Sequence, residues 1–314
     1  MAAFVSANAT NFALPLHHKP EGPTDLTSVK LPSPFVVLIA GGSKGIGLGT
    51  AKAFATAGAS DIIITARSES SLESAAQGVR EANTTAKVTT FACDITEENQ
   101  VKDLASKVSS QFQRLDVLII NAGVSSALIR RESTGLNDFP ATFPEQSYAD
   151  FQRVVALNLN APFLLLHHFA PLLEASVATA KAGAPVVVQI SSAAAWYMDP
   201  AMMSWSYSLS KLAVTRLIEH FHAAHHTSGI NAFSLQPGGV KTDLSNVSLP
   251  EGKGWYERLV DDVQLCGAMC VWLTKEKRDW LSGRYIDARW DIDELLRRKQ
   301  DIIDGDLLKV SFAM

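Results

Sequence analysis

Tyr207 and Lys211 stand four residues apart in the stretch WSYSLSK, directly ahead of the apolar run LAVTRLI. On a helix that spacing puts both side chains on one face. A free phenol has a pKa of about 10 and an ammonium about 10.4, so neither is a ready acid or base at neutral pH. A neighbouring cation favours phenolate and pulls the tyrosine downward, and the phenol can then give or take a proton at a reacting oxygen. The same spacing is common between surface neighbours, so the pair gains meaning from its company. Ser191 and Ser192 close the run PVVVQI, where a hydroxyl at a strand end can face a ligand. Asn158 sits within VVALNLNAPF, in a helix interior that disfavours asparagine unless its side chain has a task.

Such a set needs a framework. FVVLIA (35–40), DIIIT (61–65), VTTFA (88–92), LDVLII (115–120), PVVVQI (185–190) and INAFSL (230–235) are runs of strand length, with RYIDA (284–288) a weaker seventh. Apolar on both faces, they read as buried parallel strands. Helical patterns over 46–57, 70–82, 97–113, 147–180, 207–228 and 257–274 lie between them. The alternation implies an α/β fold: a Rossmann-type, doubly wound, seven-stranded, mostly parallel sheet with helices on both faces. Residues 1–33 read as a Pro-punctuated extension and 34–314 as one domain. Ligands of such sheets bind beyond the carboxyl ends of the strands. The polar insertion 125–144 and the Gly/Pro/Ser-rich segment after the sixth strand should therefore rim the site, the latter as a mobile lid around 238–258.

Composition narrows the function classes. The 314 residues are 47% hydrophobic and 19% charged, as in a soluble globular protein with a sizeable core. A formal net charge of -4 without a Lys/Arg cluster argues against nucleic acid. No run reads as a membrane span, and the N-terminus lacks the pattern of a secretory signal. Cys93, Cys266 and Cys270 are too few for a disulfide framework and read as buried small residues in a reducing, cytoplasmic setting. His220, His222, His225 and His226 lack carboxylate or cysteine companions, so they read as structural and no metal site is expected.

After the first strand comes AGGSKGIGLGTAKAFA (40–55). Gly41, Gly45 and Gly47 bracket a tight turn that opens a helix, where free N–H groups and the helix dipole favour an anion such as a pyrophosphate. The Gly-xxx-Gly-x-Gly spacing resembles the short-chain dehydrogenase/reductase family, with Ala40 where the family usually carries Thr. The lost hydroxyl should loosen the turn's hydrogen bonding. The resemblance runs in order from Phe35 to about Ala288. It implies a nicotinamide dinucleotide held by Gly41, Ser43, Lys44, Gly45, Ile46 and Gly47. Arg67 and Ser68, in TARSES after the second strand, replace the carboxylate that would bind a ribose 2′-OH. With Lys44 they would pair with a 2′-phosphate, favouring NADP(H) over NAD(H). Asp94 and Ile95 would lie at the adenine, although Asp94 also suits a cap for the following helix. Asn121, Ala122 and Gly123 match the family's Asn-Ala-Gly motif. Pro237, Gly238, Val240 and Thr242, in QPGGVKTDL, resemble the segment that contacts nicotinamide.

The resemblance also implies catalytic roles. Tyr207 is the acid/base, and Lys211 lowers its pKa and binds the nicotinamide ribose. Ser192 polarises the substrate oxygen, and Asn158 holds a relay water. Ser192 precedes Tyr207 by fifteen residues where the family has thirteen, which reads as a two-residue insertion in AAAWYMDPAMMSW, with Ser191 as the alternative. Trp196, Tyr197, Met198, Met202, Met203, Trp205, Trp255 and Tyr256 suggest a pocket for a bulky apolar or aromatic carbonyl compound. The C-terminal tail resembles fungal members, a hint toward secondary metabolism. The function expected is NADP(H)-dependent interconversion of a carbonyl and an alcohol. Two readings stay open beside it: a dehydratase, isomerase or cyclase on the same scaffold, and a dinucleotide-sensing binding protein. Family resemblance further implies a homodimer or homotetramer through the helices carrying Asn158 and Tyr207.

Overall fold

A computed structural model describes residues 11–311 apart from 184, 251 and 253. Among them, seven parallel strands form one sheet: β1 (Val36–Ala40), β2 (Asp61–Ala66), β3 (Lys87–Ala92), β4 (Val117–Ile120), β7 (Val186–Ile190), β8 (Asn231–Gln236) and β9 (Arg284–Asp287). Their order is β3-β2-β1-β4-β7-β8-β9. The chain winds outward one way from β1 and the other way from β4, so the switch point lies between these two strands. The pleat sends Val37 and Ile39 into one apolar layer and Val36, Leu38 and Ala40 into the other. The first layer is closed by α1 (Gly45–Thr56), α2 (Glu69–Ala82) and α8 (Leu265–Thr274), the second by α3 (Glu98–Phe112) and α5 (Ala161–Val177).

The expected helix over 147–180 is interrupted. α4 (Tyr148–Val155) passes through a π-helical turn at Ala156–Asn160 before continuing as α5. By length and composition the joined stretch Tyr148–Val177 is apolar enough to cross a bilayer, against the sequence expectation. Its Leu165, Leu166, Phe169 and Leu173 are buried in the second apolar layer, the position of a core helix. The helix expected from 257 begins only at Leu265, after an isolated turn at Tyr256–Arg258. Residues between are drawn into extended pairing: Asp261 bridges Val240, and the Asp262 N–H donates to the carbonyl of His18 at 2.7 Å.

Insertion 125–144 forms a small antiparallel hairpin, β5 (Ile129–Arg130) with β6 (Asn137–Asp138). Arg131 fastens it by pairing with Glu145 at 2.5 Å and donating to the Phe139 carbonyl. The same guanidinium pulls the Glu145 carboxyl down to about 2. α6 (Trp205–His225) and a short α7 (Asp243–Ser248) follow β7 and β8, and α9 (Ile292–Arg297) and α10 (Lys299–Asp304) end the chain. Of the extension, residues 1–10 lie outside the described residues. The rest packs on the body, with Ala13, Leu26 and Leu31 buried. All three cysteines are free and buried. The histidines at the end of α6 make structural bonds, His222 to Ser282 at 2.8 Å and His225 to Glu174 at 3.0 Å. Among the described residues no cluster of three or more His, Cys, Asp or Glu could hold a metal.

Candidate active site

At the switch point the glycine turn leaves β1 with Gly41 at φ +83, a conformation that a side chain would strain. A Cβ on Gly47 would lie 2.2 Å from the Gly41 carbonyl oxygen, so nothing larger fits where α1 begins. Ala40 offers no hydroxyl, and the turn is held otherwise. The Asn121 amide donates to the Gly41 carbonyl at 2.7 Å, and the Gly41 N–H to Thr65 at 2.8 Å. Lys44 occupies the N-cap of α1 without a side-chain cap bond, which leaves the first N–H groups of a twelve-residue helix available. Free N–H groups, a dipole end and a floor without side chains fit a pyrophosphate. Ser43 and Ile46 are half-buried on this turn, and Gly123 lies where a Cβ would come 3.5 Å from Lys211 Nζ.

Residues expected at the adenosine end lie on the β2 and β3 side. Arg67 is exposed just past β2. Ser68 caps α2, its Oγ accepting from Ser71 N at 3.3 Å. Lys44 is also exposed and pairs with Asp243 across the cleft at 3.1 Å, a solvent-facing contact that a stronger anion can displace. Asp94 does not cap α3, whose N-cap is Glu97. Its carboxylate instead accepts from Thr96 N at 3.0 Å and Thr96 Oγ1 at 2.7 Å, fixing the turn. Ile95 is buried in the second apolar layer.

α6 carries Tyr207 and Lys211 in its first two turns, and it packs beside β8 and the turn that follows β7. Lys211 is buried, donates to the Ile190 carbonyl at 2.8 Å, and lies 5.6 Å from the Tyr207 ring centroid. Burial pushes its ammonium down to about 8. Desolvation also raises the Tyr207 phenol, with the Ser192 hydroxyl pulling the other way. In the protein alone the tyrosine therefore stands above its ordinary value, with burial the larger cause.

The two serines after β7 differ in their surroundings. Ser191 Oγ is buried against α6, 2.8 Å from Thr215 Oγ1. Ser192 stands beside Tyr207 and accepts the Ala194 N–H at 3.1 Å, leaving its own hydroxyl hydrogen to donate. Asn158 lies in the π turn, and its task is visible. Its Oδ1 accepts Val124 N at 2.9 Å, and its Nδ2 donates to the Val124 carbonyl at 2.8 Å and Ser210 Oγ at 3.0 Å. Both amide hydrogens are thus spent, so a relay water would have to use an oxygen here. Ser210, absent from the sequence reading, ties the π turn to α6 by donating in turn to the Tyr207 carbonyl at 2.7 Å.

Pro237 is buried after β8, and Gly238 takes φ +94. A Cβ there would lie 2.6 Å from Asp261 Oδ2. Val240 is buried, and Thr242 caps α7 while its methyl lies 3.3 Å from where a Cβ on Gly45 would sit. The glycine turn and this loop therefore face each other across one cleft. Around the mouth Phe143 meets Trp205 edge-on at 3.7 Å between centroids. A Cβ on Gly252 would lie 3.1 Å from Leu136 of the hairpin. Leu249, Pro250, Trp255 and Tyr256 line an open recess of about 520 Å³. Residues 251 and 253 of the expected lid lie outside the described residues. Trp196 is half-buried and packs on the core, edge-on to Tyr285 at 5.5 Å.

Comparison with known proteins agrees with this arrangement. The sequence pattern of the short chain dehydrogenase family matches residues 35–251. The short chain dehydrogenase mpl6 of Monascus purpureus is 35% identical over 283 residues, 88% of each chain. The short chain dehydrogenase pgmD of Aspergillus terreus is 31% identical over 309 residues, 97% of this chain and 95% of the other. A crystal structure of 7α-hydroxysteroid dehydrogenase with NADH and 7-oxo glycochenodeoxycholic acid matches the fold. Its TM-score is 0.68 at 24% identity, over 86% of this chain and 96% of that one. The sheet order, the glycine turn and these relatives lead to one conclusion: the chain belongs to the short-chain dehydrogenase family, oxidoreductases that bind nicotinamide dinucleotides.

Proposed function

We propose that this protein is an NADP(H)-dependent oxidoreductase interconverting a carbonyl and an alcohol on a bulky apolar or aromatic small molecule. The observation that carries the reading is the convergence of Ser192, Tyr207 and Lys211 next to a side-chain-free anion cradle. The cradle residues Gly41, Ser43, Lys44, Gly45, Ile46 and Gly47, with Asn121, Ala122 and Gly123, would hold the dinucleotide's phosphates and ribose. Pro237, Gly238, Val240 and Thr242 would hold the nicotinamide, and Asp94 and Ile95 the adenine. Arg67, Ser68 and Lys44 present two cations and a hydroxyl, and β2 itself ends without a carboxylate, which supports a 2′-phosphate.

The bound dinucleotide supplies or accepts the hydride. In reduction the Ser192 hydroxyl donates to the substrate oxygen, and Tyr207 delivers a proton to that oxygen as the carbon is reduced. Lys211 keeps a positive charge beside the phenolate left behind, and Asn158 and Ser210 fix the turn of α6 that carries both. Oxidation runs the same steps backward. The aromatic and aliphatic rim, Phe143, Trp205, Leu249 and Tyr256, supports an apolar substrate, with 238–258 as a lid. Exposed Phe163 on α5 and Leu209 on α6 support a homodimer or homotetramer through these helices. A part in secondary metabolism belongs to the same proposal.

The test is NADPH consumption by the purified protein over a panel of aromatic and aliphatic ketones and aldehydes. Alcohol formed mole for mole with NADPH oxidised supports the reading. Substrate conversion without NADPH loss would point to a dehydratase, isomerase or cyclase instead.

A further inference from the structure

The histidine pair in LPLHHKP has no part in the site described so far, yet each histidine holds an aspartate far along the chain. His17 Nε2 lies 2.9 Å from Asp291, and His18 Nδ1 lies 2.5 Å from Asp261 Oδ1. Residues 12–18 form a strap over the sheet's edge. Leu16 bridges Trp290, the His17 N–H donates to the Arg289 carbonyl at 2.7 Å, and Phe12 rests on Trp290 at 5.4 Å between centroids.

Asp261 makes the strap more than a tether. Its carboxylate is almost wholly buried, while His18 is 55% exposed. Oδ2 accepts the Gly239 N–H, and the Asp261 N–H donates back to the Gly239 carbonyl at 3.0 Å. Oδ2 also lies against Gly238, where a Cβ would not fit. Arg289, the nearby cation, gives its guanidinium to Asp287 at 2.6 and 2.9 Å. His18 therefore supplies the hydrogen bond to Asp261 Oδ1. Without it a buried carboxylate keeps one under-satisfied oxygen, which costs free energy and favours turning toward water. Turning frees the Gly239 N–H, and Asp261 then holds Gly239 through its backbone N–H alone.

We propose that the strap is a working part of the dinucleotide site: His18, acting through Asp261, holds the Pro237–Val240 turn in the shape that receives the nicotinamide. His18 is a positioning residue, and the proposal rests on the reading of the site given above.

The test uses full-length protein and three titrations: NADPH, NADH and adenosine 2′,5′-bisphosphate, the last a probe of the adenosine end alone. His18→Ala should weaken NADPH about tenfold, as loss of a hydrogen bond to a charged group predicts, and leave the bisphosphate unchanged. His18→Asn places an amide N–H where Nδ1–H stood and should restore NADPH affinity to within about twofold. His17→Ala, which loosens the strap away from Asp261, should have the smaller effect. NADPH affinity unchanged in His18→Ala overturns the proposal, as does equal loss of the bisphosphate or failure of His18→Asn to rescue. Wild-type protein that binds no dinucleotide overturns the reading of the whole site, a different result from wild-type-like binding by His18→Ala.

Discussion

Two glycine-bearing loops face each other across the cleft, and they are built by different means. The turn after β1 is held by its immediate sheet neighbours, through backbone bonds to β2 and the Asn121 amide at the end of β4. Two of its glycines meet backbone: a Cβ on Gly41 would strike Ala122 N at 2.7 Å, and one on Gly47 the Gly41 carbonyl. The loop after β8 is held from outside the sheet by Asp261, through both its carboxylate and its backbone N–H, and, behind that carboxylate, by His18. Gly238 meets a carboxylate rather than a peptide. One loop is rigid because its walls are rigid. The other depends in part on a chain of two side chains, which suits a face that admits and releases a ligand.

The contrast can be broken at several points. The largest effect belongs to the chemistry that both loops serve: Tyr207→Phe should cut carbonyl reduction by about a hundredfold to ten-thousandfold while NADPH still binds. Comparable turnover in the variant would remove the tyrosine from its role. Next is Gly47→Ala, expected to weaken dinucleotide binding about tenfold to a hundredfold, because a backbone carbonyl cannot step aside. Gly238→Ala should cost about tenfold, since the Asp261 carboxylate has to turn away as it does in His18→Ala and a side chain at φ +94 is strained. Titration calorimetry on both variants decides whether rigid and side-chain walls differ as described.

Arg67→Ala probes the other end of the cleft. NADPH should weaken about tenfold and NADH hardly at all, the mark of a lost contact to the 2′-phosphate. The smallest effect is in pH. The depressed Lys211 pKa leaves the ammonium complete below about 8 and removes it as pH rises through that value. The kcat/KM for reduction should fall along that limb. Between about 8 and 10.5 the unfolded chain binds a proton that the folded chain does not, so this group adds stability as pH rises across that window. A pH–rate profile flat to 10 would contradict the charged-lysine role.

Local features were legible in sequence because their partners lie close by or repeat with a period. Buried strands announce themselves as continuous apolar runs, and the spacing of Tyr207 and Lys211 fixes their common face. The fifteen-residue interval leaves Ser192 beside Tyr207, and Trp196 in the loop between packs on Tyr285. Aromatic composition does not say which way a ring points, so the packing of Trp196 on Tyr285 had no sequence signal. The late start of α8 was hidden for a similar reason. Residues 259–264 have helical neighbours, but Val240 and His18 draw them into extended pairing. His18 and Asp261 are 243 residues apart, and no periodicity links such a pair.

The most direct test of the central claim is a stoichiometric assay of the wild-type protein: NADPH oxidised against alcohol formed, with an aromatic ketone or aldehyde from the panel. The site described here predicts one alcohol per NADPH, with NADH the poorer reductant. No binding of either dinucleotide, or product formed while NADPH stays constant, would contradict it.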